Sequence, residues 1–282
     1  MQKFLTDVHN HSTFSFDGVS TLSQMLQTAQ TKGVAFYGVS EHFDFDMLFA
    51  HGRAHGGTNA EEYFHFARHL QEDYEGVMNV MIGVELGFSP DPRVLKRNQE
   101  IVEKYRPDFV VNSIHCLRAE DYYSQIPFRE KTCEGVDILR PKKEVYKEYL
   151  ALVRNSLDVS YDYDIVGHIG YPSRYAPYKD KKMSYAEFAK EYDDILGTVI
   201  AKNKILEVNA SNNGASEFVT FVGEDVLRRY YEMGGRQVSY ASDAHSTDSI
   251  LRKRDEVVEM LKNIGFTYIT VPRRGEYIKV EI

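Results

Sequence analysis

Apolar and polar positions along the chain switch repeatedly between two periods. Short, almost wholly apolar runs alternate with stretches whose apolar residues recur every three to four positions. The pattern predicts a strand over Phe4 to His9 and a helix over Leu22 to Lys32, stopped by Gly33. A second strand follows over Ala35 to His42, a helix over Ala60 to Glu75 and a strand over Val77 to Leu86. Pro92 opens a helix to Tyr105, and Asp108 to His115 is strand. Further strand–helix alternation places helices over Lys142 to Leu157, Ser184 to Asn203, Glu224 to Met233 and Asp248 to Ile264. The intervening strands are Asp164 to His168, Lys204 to Ala210 and Gln237 to Asp243, and Phe266 to Val271 and Tyr277 to Ile282 form a tail.

Seven strand–helix units predict one α/β domain over residues 1–282, a barrel of parallel strands. Runs such as Phe109-Val110-Val111 and Ile165-Val166 are apolar on both faces, as strands buried between helices and a barrel interior must be. An open doubly wound sheet would gather its functional groups at one crevice, whereas here nearly every strand ends in a polar candidate. Barrel chemistry sits at the carboxyl ends of the strands. Three long connections follow strands and overhang that rim: Phe43 to Asn59, Cys116 to Pro141 and Ile169 to Met183.

Charge narrows the partners. With 34 Lys and Arg against 42 Asp and Glu, the net charge of −8 disfavours a nucleic-acid surface. Only two cysteines are present, Cys116 and Cys133, so no disulfide framework is expected and a reducing compartment is. No signal segment or membrane-length apolar run is evident, which points to a cytoplasmic protein. Composition leaves the oligomeric state open.

The strand ends carry the chemistry. His9, His11, His42, His115, His168 and His245, six of ten histidines, stand where an apolar run gives way to a loop, with Glu85 and Asp243 at equivalent positions. A lone histidine is more often a hydrogen-bonded structural residue than a ligand, but independent structural residues have no reason to share a phase. His9-Asn-His11 sets two imidazoles on one face of a strand, and a carboxylate such as Glu85 offers two oxygens to neighbouring cations. Asp17 follows in the first loop. His65 and His69 lack the glutamate that a metalloprotease helix needs after its first histidine, and are ordinary helix-face residues. His51 and His55 lie in a loop long enough to approach a substrate. Cys116, beside His115, points away from the site on a strand.

The succession His9-Asn-His11, Glu41-His42, Ser113-Ile-His115 and Ser242-Asp243-Ala-His245 resembles the four motifs of the polymerase and histidinol phosphatase (PHP) family, over essentially the whole chain. The resemblance implies a distorted (β/α)7 barrel with three divalent metal ions, drawn from Zn, Mn, Fe and Co. It implies one ion on His9, His11, Glu85 and Asp243, and a second on Glu85, His115 and His168. A third falls to Asp17, His42 and His245, where members often carry histidine in place of Asp17. The reaction it implies is attack by a metal-bridging hydroxide on a small phosphomonoester, first of all L-histidinol phosphate in histidine biosynthesis. Asp17 and His245 are the catalytic candidates, with Asp17 or a metal-bound water protonating the leaving alkoxide, and Arg174 is the candidate phosphate contact. Alternatives on the same site are a nucleotide or phosphotyrosine phosphatase or an exonuclease-like domain. More distant are an amidohydrolase and a metal-dependent regulatory or structural domain.

Overall fold

A computed structural model describes residues 4–52, 57–211 and 220–282. The chain runs β1 (Leu5–Asp7), α1 (Leu22–Thr31), β2 (Val34–Phe43), α2 (Phe45–His51), α3 (Ala60–Asp73), β3 (Asn79–Gly87), α4 (Pro92–Tyr105) and β4 (Val110–Ser113). The connection after β4 holds two small antiparallel ribbons, β5 (Cys116–Leu117) with β6 (Glu120–Asp121) and β7 (Arg129–Lys131) with β8 (Asp137–Leu139). Then come α5 (Lys142–Ser156), β9 (Ile165–Val166), α6 (Pro172–Tyr175), α7 (Ala189–Ala201), β10 (Ile205–Asn209), α8 (Glu224–Glu232), β11 (Val238–Ala241) and α9 (Arg254–Ile264). A hairpin of β12 (Tyr268–Arg273) and β13 (Glu276–Glu281) ends the fold.

Seven strands form a single sheet in the order β1-β2-β3-β4-β9-β10-β11, every pair parallel. The sheet curls until its first and last strands meet. There the Asp243 amide donates to the His9 carbonyl (3.0 Å) and the His11 amide to the Ala244 carbonyl (2.8 Å). Side chains complete this seam: Asp7 accepts from the amides of Ser242 and Leu251, each at 3.0 Å. The expected seven-stranded parallel barrel is therefore the observed architecture.

Local sequence explains the helices that wrap it. Thr21 and Gln24 form a reciprocal cap at the start of α1, whose buried Leu22, Met25, Leu26 and Ala29 recur on one face. Asp91 caps α4, with Pro92 in its first turn. Two expected helices are shorter than their periodicity suggests. The stretch from Asp248 becomes α-helical only at Arg254, because Leu251 and Lys253 take left-handed backbone angles (φ 62° and 50°). Ser184 to Asn203 begins as a 3-10 turn and turns α-helical at Ala189.

The barrel interior is a second core, separate from the one beneath the helices. Val8, Met81, Phe109, Val111, Ile165 and Ile205 line it, and Val271 and Val280 of the hairpin close it from below. Arg274 at the hairpin tip clamps this floor, its amide on the Asp108 carbonyl and its Nε on the Asp108 carboxylate, both 2.7 Å. Phe109 fills the space left by Gly38 and Gly83. A Cβ at Gly83 would stand 2.4 Å from the Phe109 ring. Gly83→Ala should therefore destabilise the chain by about 1–3 kcal/mol through overpacking, and Phe109→Leu in the same chain should recover part of it. Thermal unfolding checks this; a Gly83→Ala chain melting with the parent would remove Phe109 from that position.

Candidate metal centre

Parallel strands deliver their carboxyl ends to one rim, and the polar residues placed there converge. Donor atoms of His9, His11 and Glu85, of His42, Glu85 and His115, and of His11, His42 and His245 lie within 4.8 Å of one another in each set. Around Glu85 Oε2 stand His9 Nε2 at 3.2 Å, His11 Nε2 at 3.5 Å and His42 Nδ1 at 3.1 Å. Asp243 Oδ1 is 3.2 Å from His11 Nε2 and 3.9 Å from His9 Nε2. The other oxygen, Oε1, has His168 Nε2 at 2.8 Å and His115 Nε2 at 3.2 Å. Glu85 thus has imidazoles around both oxygens, as a bridging ligand would. On the open side, Asp17 lies 3.1 Å from His245 Nε2 and 3.8 Å from His42 Nε2.

Metal donors bound at 2.0–2.1 Å in a tetrahedron sit about 3.4 Å apart, close to these spacings. Hydrogen bonds account for the contacts of Glu85 Oε1 with His115 and His168, but not for those around Oε2. His9 Nε2, His11 Nε2, His42 Nδ1 and Glu85 Oε2 are buried yet have no hydrogen-bond partner. Orphaned polar atoms in one pocket are costly unless a cation takes them. The donor set, nitrogen and oxygen without thiolate, suits Zn, Mn, Fe or Co.

The far sides of four of the six rings, those of His9, His11, His115 and His245, support the same reading. His9 Nδ1 is held by Glu207 Oε1 at 2.5 Å, and His115 Nδ1 by Asp44 Oδ1 at 2.7 Å. His245 Nδ1 bonds the Asp243 carbonyl at 3.0 Å, and His11 Nδ1 meets Ser15 Oγ at 3.4 Å. Anchoring Nδ1 as a donor leaves the Nε2 lone pair aimed inward, the arrangement that orients metal-binding histidines. Ser113 Oγ donates to Glu85 Oε1 at 2.6 Å. Asp243 holds a left-handed backbone (φ 52°), and its Oδ2 accepts from Ser211 Oγ at 2.8 Å, which aims Oδ1 at His11. Strain of this kind collects at functional sites.

Charge in the pocket is balanced internally. Burial would raise the Glu85 carboxyl, but the imidazoles of His9, His115 and His42 hold it well below its usual range. Burial opposes charging of His42, yet Glu85 and Asp17 push it up to about 9. His9 and His115 are likewise raised against burial, His9 by Glu207, Glu85 and Asp243, His115 by Asp44 and Glu85. His11, buried and facing His42 and His245, drops to about 3. The buried carboxylates thus favour positive charge in this pocket.

Every predicted ligand reaches the rim. His42 lies between two sets, Nδ1 toward Glu85 and Nε2 toward Asp17, rather than in the third set alone. Arg174 lines the cleft above the cages, its guanidinium 5.5 Å from the Tyr175 ring centre and 5.8 Å from that of Phe221. His65 and His69 are exposed on α3, as expected. His51 faces Glu120 at 3.7 Å, and His55 lies outside the described residues. Cys116 is buried and stands outside the donor sets. Glu41, part of a motif, spends its carboxylate on Ser12 and Ser15.

Glu207 and Asp44 were not expected from sequence. Glu207 had a signal, a carboxylate inside the apolar strand Ile205–Asn209, which is costly unless paired. It also accepts the His168 amide at 2.6 Å, so one side chain sets two ligands. Glu207→Gln should weaken metal binding roughly 10- to 100-fold, read by competition with a chromogenic chelator. Unaltered affinity would leave Glu207 a purely structural residue.

A parallel barrel whose strand ends bring together donor sets that could hold metal ions defines the class: barrel proteins with their chemistry at the carboxyl rim. A match to the PHP domain spans residues 7–211, and the chain belongs to that family. It is 26% identical over 269 residues to a probable histidinol-phosphatase of Clostridium acetobutylicum, covering 95% of this chain and 97% of that one. It is also 26% identical over 268 residues to the histidinol-phosphatase of Lactococcus lactis, covering 92% and 91%. The crystal structure of histidinol phosphate phosphatase from L. lactis, complexed with zinc, L-histidinol and phosphate, superposes with a TM-score of 0.82. That match has 24% identity and covers 98% of this chain and 99% of the other, and it shows a shared fold.

Proposed function

We propose that the chain is a metal-dependent phosphomonoester hydrolase converting L-histidinol phosphate and water to L-histidinol and phosphate, a step of histidine biosynthesis. The observation that carries the reading is the convergence of imidazoles with anchored outer nitrogens and unpartnered inner ones around a shared carboxylate. Full-length relatives named histidinol-phosphatase supply the substrate.

Three ions are proposed: one on His9, His11, Glu85 and Asp243, one on Glu85, His115 and His168, and one on Asp17, His42 and His245. Divalent ions there would lower the pKa of water toward ~7 and offset charge on the phosphoryl oxygens. Arg174 meets the phosphoryl group from the cleft wall. Its guanidinium lies over the rings of Tyr175 and Phe221, and a guanidinium can give a phosphoryl group two parallel hydrogen bonds. Glu207 and Asp44 keep His9 and His115 in the tautomer that binds through Nε2. Burial would raise Asp17, but His42 and His245 hold it below the usual carboxylate range. It stands on the open side of the site, 3.1 Å from His245 Nε2, and it or a metal-bound water is the proton source for the leaving alkoxide.

The net charge of −8 opposes a polyanionic substrate, so a small ester fits better than a nucleic acid. Among the described residues, no helix is long and apolar enough to cross a membrane. Both cysteines are free thiols, which fits the cytoplasm. The test is a phosphate-release screen of zinc- or manganese-loaded protein over L-histidinol phosphate, nucleotides, phosphotyrosine and sugar phosphates. Preferential turnover of L-histidinol phosphate is expected, and turnover no faster than that of the generic esters would overturn the substrate.

A further inference from the structure

One buried carboxylate of the rim stands outside the donor sets. Glu41 lies in β2 one residue before His42 and is wholly buried. Its Oε1 accepts the Ser12 amide at 3.0 Å and the Ser12 hydroxyl at 2.6 Å. Its Oε2 accepts the same amide at 3.1 Å and the Ser15 hydroxyl at 2.5 Å. Every one of these groups can donate, and the amide can do nothing else, which favours the ionised carboxylate against burial.

Ser15 passes this demand on. Its single hydroxyl proton goes to Glu41, so its oxygen is left to accept, and two donors face it: the His42 amide at 3.0 Å and His11 Nδ1 at 3.4 Å. A proton kept on His11 Nδ1 leaves Nε2 bare. That nitrogen is buried without a hydrogen-bond partner, 3.5 Å from Glu85 and 3.2 Å from Asp243. The two serines also fold the turn that carries Asp17. The Ser15 amide donates to the Ser12 carbonyl at 2.9 Å, and the Gly18 amide to the Ser15 carbonyl at 3.2 Å. The turn is so tight that a Cβ on Gly18 would stand 1.8 Å from the Ser12 carbonyl oxygen.

We infer that Glu41 is a positioning residue of the metal centre: through Ser15 it keeps the His11 proton on Nδ1, and through Ser12 and Ser15 it holds the turn that presents Asp17. Two of the three proposed ions thus depend on a carboxylate that ligates neither. The inference rests on the proposed metal sites. It explains why a charge is buried beside them, because an amide could not replace it. Gln in either orientation would set an N–H against the Ser12 amide, and in one of them would reverse the Ser15 hydroxyl toward His11.

The experiment compares the parent with Glu41→Gln, Ser15→Ala and the double variant. Each metal-free protein is titrated with zinc against a chromogenic chelator, and each cobalt-loaded protein is read by visible absorption, which reports the ligand geometry without turnover. Glu41→Gln should weaken zinc binding roughly 10- to 100-fold and alter the cobalt spectrum. Ser15→Ala should produce part of both effects. The double variant should bind zinc no more weakly than Glu41→Gln alone, because the two residues act in series. Parental affinity and spectrum in Glu41→Gln, with only the melting temperature lowered, would overturn the inference, as would losses that add in the double variant. Ser15→Ala leaves the carboxylate and its Ser12 bonds in place, so it tests the relay even where Glu41→Gln fails to fold; parental affinity there overturns it. A parent that binds no zinc would overturn the proposed metal sites instead.

Discussion

Exhaustive chelation should bring phosphate release to background while the far-UV circular dichroism of the chain is retained, and zinc or manganese should restore turnover. The expectation comes from the charge balance of the cages. Without cations, His9, His42 and His115 are raised and can carry protons that offset Glu85 and its neighbours. The pocket therefore need not collapse. Reloading must displace those protons, because only neutral imidazoles ligate. With His42 near 9 in the metal-free chain, metal binding at neutral pH should release protons, and affinity should rise with pH up to about 9. A pH-indicator dye in weakly buffered solution reads the release. Undiminished turnover after complete metal removal, verified by elemental analysis, would end the metal-centre assignment.

The second large effect is expected at Glu85. Glu85→Gln keeps the size of the side chain but removes the charge faced by imidazoles on both oxygens. Two cages lose a ligand at once. The stabilisation that metals give a phosphoryl transition state amounts to several kcal/mol, so turnover should fall about 1,000-fold or more. The variant should also bind fewer ions per chain, measured by elemental analysis after gel filtration. Because the carboxylate is wholly buried among groups that it neutralises, the metal-free variant should unfold at lower temperature than the metal-free parent. Full activity with a full metal complement would show that Glu85 is not the shared ligand.

The strands and their terminal donors were legible because parallel strands impose a common phase on distant residues. His115 and His168 are far apart in sequence, yet each follows an apolar run by the same logic, and their Nε2 atoms end 3.1 Å apart. What periodicity could not reveal depends on contacts across the barrel. The strand expected over Asp164 to His168 is reduced to Ile165–Val166, since the His168 amide turns to Glu207 instead of a strand partner. The helix expected from Asp248 is delayed because Asp7 takes the Leu251 amide and the Tyr240 hydroxyl takes the Arg252 carbonyl at 2.6 Å. Nothing in Glu41-His-Phe-Asp44-Phe-Asp46 singles out Asp44, and only the fold brings it to His115. The ribbons β5 to β8 have no periodic signature.

The seam where β1 meets β11 has a further meaning for the whole molecule. His9 and His11 stand on one side of it, Asp243 and His245 on the other. A divalent ion held across that line would act as a clasp between segments more than 200 residues apart in the chain. Fastening so long a loop limits the freedom of the opened form far more than a local contact does. Loss of the ion should therefore loosen the barrel first along this join, with amide exchange quickening at Asp243 and His11 before it does in the central strands.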